Sequence, residues 1–498
     1  MLSFDDNLCW TRAGKARQHS ERGVMVSSVD VANLPLARLV PLVGSERIAV
    51  LNEQAASFQE RIGERTIWNI NSTAQGGGVA EMLQSLVGYA RSAGIDTQWL
   101  VIEGYGNFFA ITKRLHNQIH GLGGDGGPLG EKERHDYDEV MDANLAELLE
   151  LIDPGDLVLL HDPQTAGLAD ALKDHGAIVV WRCHIGIDES NEWTESAWAF
   201  LRPYLERVDH FVFSRPSYVP QWITRERVAI IPPSIDPFSP KNQELGADDV
   251  RRILTTMGLF DGAVDQPGEF IDYDGNRHVV EQSAEIVQFG ASLDPAKALI
   301  IQVSRWDQLK DMPGVMAAFV ERVLPETDAH LVLVGASVSD VSDDPEGAQV
   351  LSDVMAQWSR LSDAERSRVT LVSLPMSDLG QNAAMVNAIQ RHASVVVQKS
   401  LAEGFGITVT EALWKSKPMV ASAVGGINDQ IASGCGVLLE NPRDLQRFGD
   451  DIAGLLARPR AMDEMGRRAH AYVLENYIGD KHLLRYVDLF TSLLDSNP

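Results

Sequence analysis

Along this chain, short runs of consecutive apolar and β-branched residues alternate with longer segments whose apolar positions recur at helical spacing. The runs predict strands over Ile67–Asn71, Thr97–Ile102, Leu157–His161, Ile178–Cys183, His210–Ser214 and Val228–Pro232. A second series covers Ala298–Ser304, His330–Gly335, Val369–Leu374, Ser394–Lys399, Pro418–Ala421 and Gly436–Leu439. Most are apolar throughout rather than alternating, as strands covered by helices on both faces are. Segments such as Gly78–Ala93 and Glu411–Lys417 supply helical character between them. Two successive β/α series predict an α/β chain with two Rossmann-like, doubly wound domains, over residues 61–256 and 297–475. Residues 257–296, rich in Gly, Asp and Pro, read as an interdomain connection with an irregular insertion. Residues 1–60 read as a weakly patterned extension with a helical stretch at Arg47–Gln59, and 476–498 as a C-terminal helix crossing back to the first domain. The glycine-rich Gly121–Gly130 reads as a flexible surface loop.

Composition narrows the setting. The 498 residues are 44% hydrophobic and 23% charged, the make-up of a soluble globular protein of more than one domain. No stretch approaches the roughly 18 to 20 uninterrupted apolar residues of a membrane helix. The N-terminus mixes charges without an apolar core, so no signal peptide is expected. Cys9, Cys183 and Cys435 form no CxxC or Cys/His pair at metal spacing; a reducing, cytoplasmic setting and no metal are expected. A net charge of -27 argues against nucleic-acid binding. It also means that an anionic small substrate needs a local cluster of cations.

Three loops can meet that need. Gln75-Gly76-Gly77-Gly78 follows the first strand and opens a helix, whose free N–H groups favour an anion. Its spacing is not the dinucleotide-binding GxGxxG, so a nicotinamide enzyme is disfavoured. Arg305 and Lys310 project from the loop after Ala298–Ser304, at a strand's C-terminal edge, where two cations can grip a diphosphate. Glu403-Gly404-Phe405-Gly406-Ile407-Thr408 leads through the helical run Ile407–Trp414 to Glu411. There a glycine turn sets N–H groups beside a phosphate, Glu403 can accept from sugar hydroxyls, and Glu411 can reach a ribose diol.

Arg305 and Lys310, followed by Glu403 and Glu411, resemble the donor-site signature of the retaining two-domain (GT-B type) nucleotide-sugar glycosyltransferases. Trp68–Leu83, Val101–Gly104, His161–Gln164, Trp181–Ile185, Pro232–Pro237 and Asp343–Gly347 extend the likeness to trehalose glycosyltransferring synthases and trehalose phosphorylases. The resemblance implies two domains facing across a cleft. The donor would be held by Gly77, Gly78, Arg305, Lys310, Gly404, Phe405, Gly406, Ile407, Thr408 and Glu411. Gln75, Asp162 and Gln164 would line the acceptor pocket, and His184 would hydrogen-bond a hydroxyl of the transferred glucose. His184, Arg305, Lys310 and Glu403 would carry the chemistry without metal or cofactor. The implied reaction is retaining, reversible transfer of glucose from a nucleoside-diphosphate-glucose to glucose, giving trehalose. A phosphorylase using phosphate or glucose 1-phosphate, and a non-catalytic sugar-nucleotide sensor, stay open. Expected partners are sugars and sugar nucleotides, not nucleic acid or membrane; a homodimer is left open. Two features depart from the pattern. Asp311 follows Lys310 where glycine is usual, adding a negative charge near the diphosphate site. Residues 1–60 and 257–296 are longer than expected, with a role in covering the site or in association left open.

Overall fold

Strands that are apolar on both faces need helices on both sides, and the chain builds two such layered units. The structure, a computed structural model, describes residues 25–74, 77–338 and 345–496. The first sheet contains β1 (Val26–Ser28), β2 (Ile67–Asn71), β3 (Thr97–Ile102), β4 (Leu157–His161), β5 (Ile178–Cys183), β6 (His210–Phe213) and β7 (Val228–Ile230), in the order β1-β3-β2-β4-β5-β6-β7. A hairpin of β8 (Glu269–Ile271) and β9 (Arg277–Val279) follows. The second sheet contains β10 (Glu285–Val287), β11 (Leu299–Val303), β12 (His330–Ala336), β13 (Val369–Leu374), β14 (Val395–Gln398), β15 (Met419–Ser422) and β16 (Val437–Leu439), in the order β10-β13-β12-β11-β14-β15-β16. Each sheet is parallel apart from one antiparallel edge strand, β1 on β3 and β10 on β13. Strand order reverses between β2 and β4 and again between β11 and β14. Ligands of open parallel sheets bind outside the strand C-termini at such points. No described helix is long and apolar enough to cross a membrane.

Every predicted strand is present, with ends shifted by at most two residues. Two readings need correction. Residues 257–296 are not merely irregular: they form the β8–β9 hairpin and the edge strand β10, and the backbone N–H groups of Glu281 and Gln282 donate to the Gln381 side chain at 2.8 and 3.0 Å. Edge strand β10 lies at the far side of its sheet from the β11/β14 reversal, so it does not cover that point. Residues 25–60 are likewise part of the fold: they supply β1, and the helical stretch expected at Arg47–Gln59 lies within the helix Ser45–Ile62. Each missed strand has three residues of mixed polarity, too short for a periodic signal.

The C-terminal helix Gly479–Ser496 lies against the helix Ser45–Ile62. Phe490 stacks on Phe58 with ring centroids 6.3 Å apart, and Arg47 bonds Asp480 at 2.7 Å. The crossing is tied where Ile235 N–H donates to the Tyr477 carbonyl at 2.9 Å. Beneath it lies Arg182, at 0% exposure, whose guanidinium donates to the Tyr486 hydroxyl, to the Ile231 carbonyl at 3.1 Å and to His482 Nε2 at 3.4 Å.

Arginine can only donate, and this sets the state of every ring linked to it. His482 therefore accepts at Nε2 and donates from Nδ1 to Ser234 Oγ at 2.7 Å. Arg182 Nε donates to His184 Nδ1 at 3.3 Å, so His184 donates from Nε2 to His161 Nδ1 at 3.0 Å. His161 in turn donates from Nε2 to Asn69 Oδ1 at 3.4 Å. Burial first, and then the Arg182 charge, hold His161, His184 and His482 below the usual histidine range, His161 at about 3.

These rings take up protons only on unfolding, so stability is lost as the pH falls below the unfolded value of 6.5. Asp162, which burial pushes up to about 7, acts in the opposite sense, because its protonation favours the folded state as the pH falls from 7 toward 4. The three histidines outweigh it. Denaturant unfolding from pH 7 to 5 should show His161→Gln removing a slope of about 1.4 kcal/mol per pH unit below pH 6.5. Parallel pH profiles for wild type and variant would contradict a neutral buried His161.

Candidate functional site

The loops after β11 and β14 flank the reversal point of the second sheet, and Gln302 joins them. Fully buried, it donates from Nε2 to the Lys310 carbonyl at 2.7 Å and accepts the Lys399 N–H at 2.9 Å. Leu401 N–H adds a bond to the Leu309 carbonyl at 2.7 Å. The result sets Lys310 Nζ 2.6 Å from Glu403 Oε2, with Ser400 Oγ donating to the same oxygen at 3.2 Å. Lys310 and Glu403, expected as separate contributors, are thus a direct ion pair at 13% and 12% exposure. Arg305 stays half exposed and reaches the buried Asp307 at 3.2 Å. The negative charge that Asp311 adds is matched by a neighbouring lysine. Asp311 has φ +44°, a left-handed conformation that Asp tolerates, caps the helix Met312–Ala318 through Gly314 N–H and pairs with the buried Lys399.

Glu403 leads into the helix Ile407–Trp414, whose N-cap is Gly406 at φ +80°. Thr408 donates to Gln398 Oε1 at 3.3 Å. Phe405 turns away from the loop, its ring 5.7 Å from Tyr477. Glu411 is 1% exposed, and neither carboxylate oxygen has a hydrogen-bond partner among the described residues. Burial raises its pKa, opposed by Lys241, whose Nζ lies 3.8 Å away and also pairs with Glu81 of the first domain.

The first domain closes on this loop through backbone contacts. A Cβ on Gly404 would sit 2.9 Å from the His184 carbonyl oxygen, and one on Gly425 would meet the Tyr218 hydroxyl at 2.6 Å. Tyr218 donates its hydroxyl to the carbonyls of both Glu403 and Gly404. Arg215 bridges Asp188 and Asp429, while Asp188 accepts the Gly425 N–H at 3.1 Å. Gly77 and Gly78 open the helix Gly77–Ser92, and the Cβ position of Gly78 lies 3.4 Å from Ile407. Two glycine-rich helix N-termini therefore meet across the cleft.

The acceptor-side residues are placed less simply. Gln75 lies outside the described residues, as do Asp343 and Asp344. Gln164 is half-buried in the short turn Pro163–Leu168. Asp162, at φ +62°, accepts the His184 N–H at 2.7 Å. The His184 imidazole has protein partners on both nitrogens, and it is the backbone carbonyl that meets Gly404.

Sequence reading missed one wall. Lys113, His116 and His120 follow one another along the helix Phe108–Ile119 and its C-cap, facing the Arg305–Lys310 loop. Lys113 lies 3.9 Å from Glu346 of the second domain. Their spacing of three and four residues was the available signal, but no strand end or glycine turn marked it. Lys241 was missed for the same reason. Among the described residues no group of three or more His, Cys, Asp or Glu could hold a metal ion.

Comparison with known proteins places this geometry. Residues 69–220 match the family model described as trehalose synthase, N-terminal domain, and residues 376–472 match glycosyl transferases group 1. The chain is 35% identical to the trehalose synthase of Pyrococcus horikoshii over 455 residues, covering 91% of this chain and 95% of that relative. It is 33% identical to the trehalose synthase of Rubrobacter xylanophilus over 94% of this chain and 100% of that relative. A trehalose phosphorylase of Grifola frondosa is 25% identical over 81% of this chain and 54% of its own length. Among solved structures, the trehalose-6-phosphate synthase OtsA shares the fold at TM-score 0.63 and 14% identity, covering 86% of this chain and 99% of that chain. Anabaena HepE, solved with UDP and glucose, does so at 0.57 and 14%, covering 86% and 100%. The two facing Rossmann-like domains are thus those of GT-B glycosyltransferases, and the chain belongs to the trehalose synthase family, enzymes of trehalose-related glycosyl transfer.

Proposed function

We propose that the protein transfers glucose from a nucleoside-diphosphate-glucose to glucose, forming trehalose with retention of configuration. The observation that carries the nucleotide assignment is Glu411. Its carboxylate is buried, its oxygens make no close hydrogen bond, and its nearest cation, Lys241, stays 3.8 Å away, so it keeps acceptor capacity that the two hydroxyls of a ribose diol would meet. A phosphorylase, whose donor has no ribose, would use that carboxylate only as a partner of Lys241. The cationic pair at the reversal point supports a diphosphate beside it, and the N-terminus of Ile407–Trp414 favours the same charge.

In this reading the C1–oxygen bond to the diphosphate breaks, and the acceptor hydroxyl adds to C1 from the same face. Its proton passes to the departing phosphate oxygen. Arg305 and Lys310 stabilise the charge growing there. An arriving phosphate competes with Glu403 for Lys310, which leaves the Glu403 carboxylate to accept from a sugar hydroxyl. Contacts from Tyr218 and His184 to the loop backbone hold the cleft shut against water.

Lys310→Ala should lower kcat by about 100-fold or more while the chain still folds, its melting temperature reduced because Glu403 loses its buried partner. Near-normal turnover would remove Lys310 from the chemistry. Glu411→Gln should raise KM for a nucleotide-sugar by roughly 10- to 150-fold while leaving transfer from glucose 1-phosphate unchanged. Equal effects with both donors would refute the ribose assignment and favour a phosphorylase.

A further inference from the structure

His120 closes the helix Phe108–Ile119 as its C-cap and is 6% exposed. Its Nδ1 lies 3.2 Å from the Gly186 carbonyl, which can only accept, so Nδ1 carries the proton. Nε2 of the neutral ring is then left as the acceptor side of the imidazole. Cε1, bonded to both ring nitrogens, lies 3.3 Å from the position a Cβ on Gly404 would take. That edge of the imidazole therefore packs against the loop that holds Glu403.

The surroundings keep the ring neutral. Burial is the main cause that holds its pKa down at about 4, and Glu403, Lys310 and Asp307 are the charges it feels. His116, one turn earlier, packs edge-on at 4.8 Å between centroids and is itself held low by burial and by His120, Arg305, Lys113 and Lys310. Glu403, Asp307 and the Gly186 carbonyl favour a proton on His120 and Lys310 opposes it, but burial outweighs them.

We infer that His120 is a sugar-specificity residue, whose Nε2 accepts a hydrogen bond from one hydroxyl of the transferred sugar, across the cleft from Glu403. The inference rests on the proposed glucosyl transfer. The chemistry is selective because a neutral acceptor with no proton to give demands an O–H. A donor sugar lacking that hydroxyl covers the lone pair without meeting it, as does a bulky ether in its place. The pairing also divides labour. Glu403 reads the sugar from the second domain and His120 from the first, so both contacts exist only when the cleft is closed.

The test is a cycle of substitutions on both partners. Wild type, His120→Leu and His120→Gln are assayed with whichever of UDP-glucose or ADP-glucose wild type uses, and with its 2-, 3-, 4- and 6-deoxy analogues. His120→Leu should lower kcat/KM for the parent donor by about 10- to 100-fold. One deoxy analogue should lose as much with wild type and nothing further with His120→Leu. His120→Gln, whose amide oxygen can accept, should recover part of the loss. Losses that multiply for every analogue, or a glutamine variant as poor as leucine, would overturn the role of His120 while leaving the transfer intact. A wild type that transfers from neither donor would instead overturn the proposed function.

Discussion

The ion pair between Lys310 and Glu403 sits where two loops leave adjacent strands on either side of a reversal in strand order. Nothing local to either loop would bring them together; Gln302 does, by bonding the backbone of both from a fully buried position. A buried pair of this kind contributes little net stability, because the desolvation of both groups offsets their attraction. Its value is positional. The pair presets one cation and one carboxylate 2.6 Å apart in a chain whose net charge of -27 would otherwise disfavour an anionic ligand. Asp311 and Lys399 form a second pair beside it, so the local balance is kept without another free charge.

What the first domain grips is the backbone of that loop. The Glu403 and Gly404 carbonyls accept from Tyr218, Gly404 abuts the His184 carbonyl, and Gly425 leaves room that any side chain would fill. Contacts to backbone leave the side chains of Glu403 and Lys310 available for a ligand. The chain of Arg182, His184 and His161 then ties the same loop to the crossing helix Gly479–Ser496. His184 is thus connected both to the cleft and to the segment that joins the domains.

The strands were legible because parallel strands buried on both faces leave continuous apolar runs, and each central run named a strand. Edge strands β1 and β10 left no such mark, being three residues long and half solvated. Of the site, the glycine turns, Arg305, Lys310 and the two glutamates could be found because each follows a strand end. The His120 wall could not: its residues lie mid-helix and at a C-cap, where helical spacing reads equally as an ordinary packed face. The consequence of Asp311 also needed its partner Lys399, which lies 88 residues away in sequence.

Transfer of glucose with retention across a closed cleft, as proposed above, leaves a direct spectroscopic signature. Proton NMR of the reaction between a nucleoside-diphosphate-glucose and glucose tests it most directly, since the anomeric coupling reports both the linkage and its configuration. A single non-reducing disaccharide with two α-anomeric centres, formed only when both substrates are present, is expected. A β-configured product, or a donor that is only hydrolysed, would contradict it.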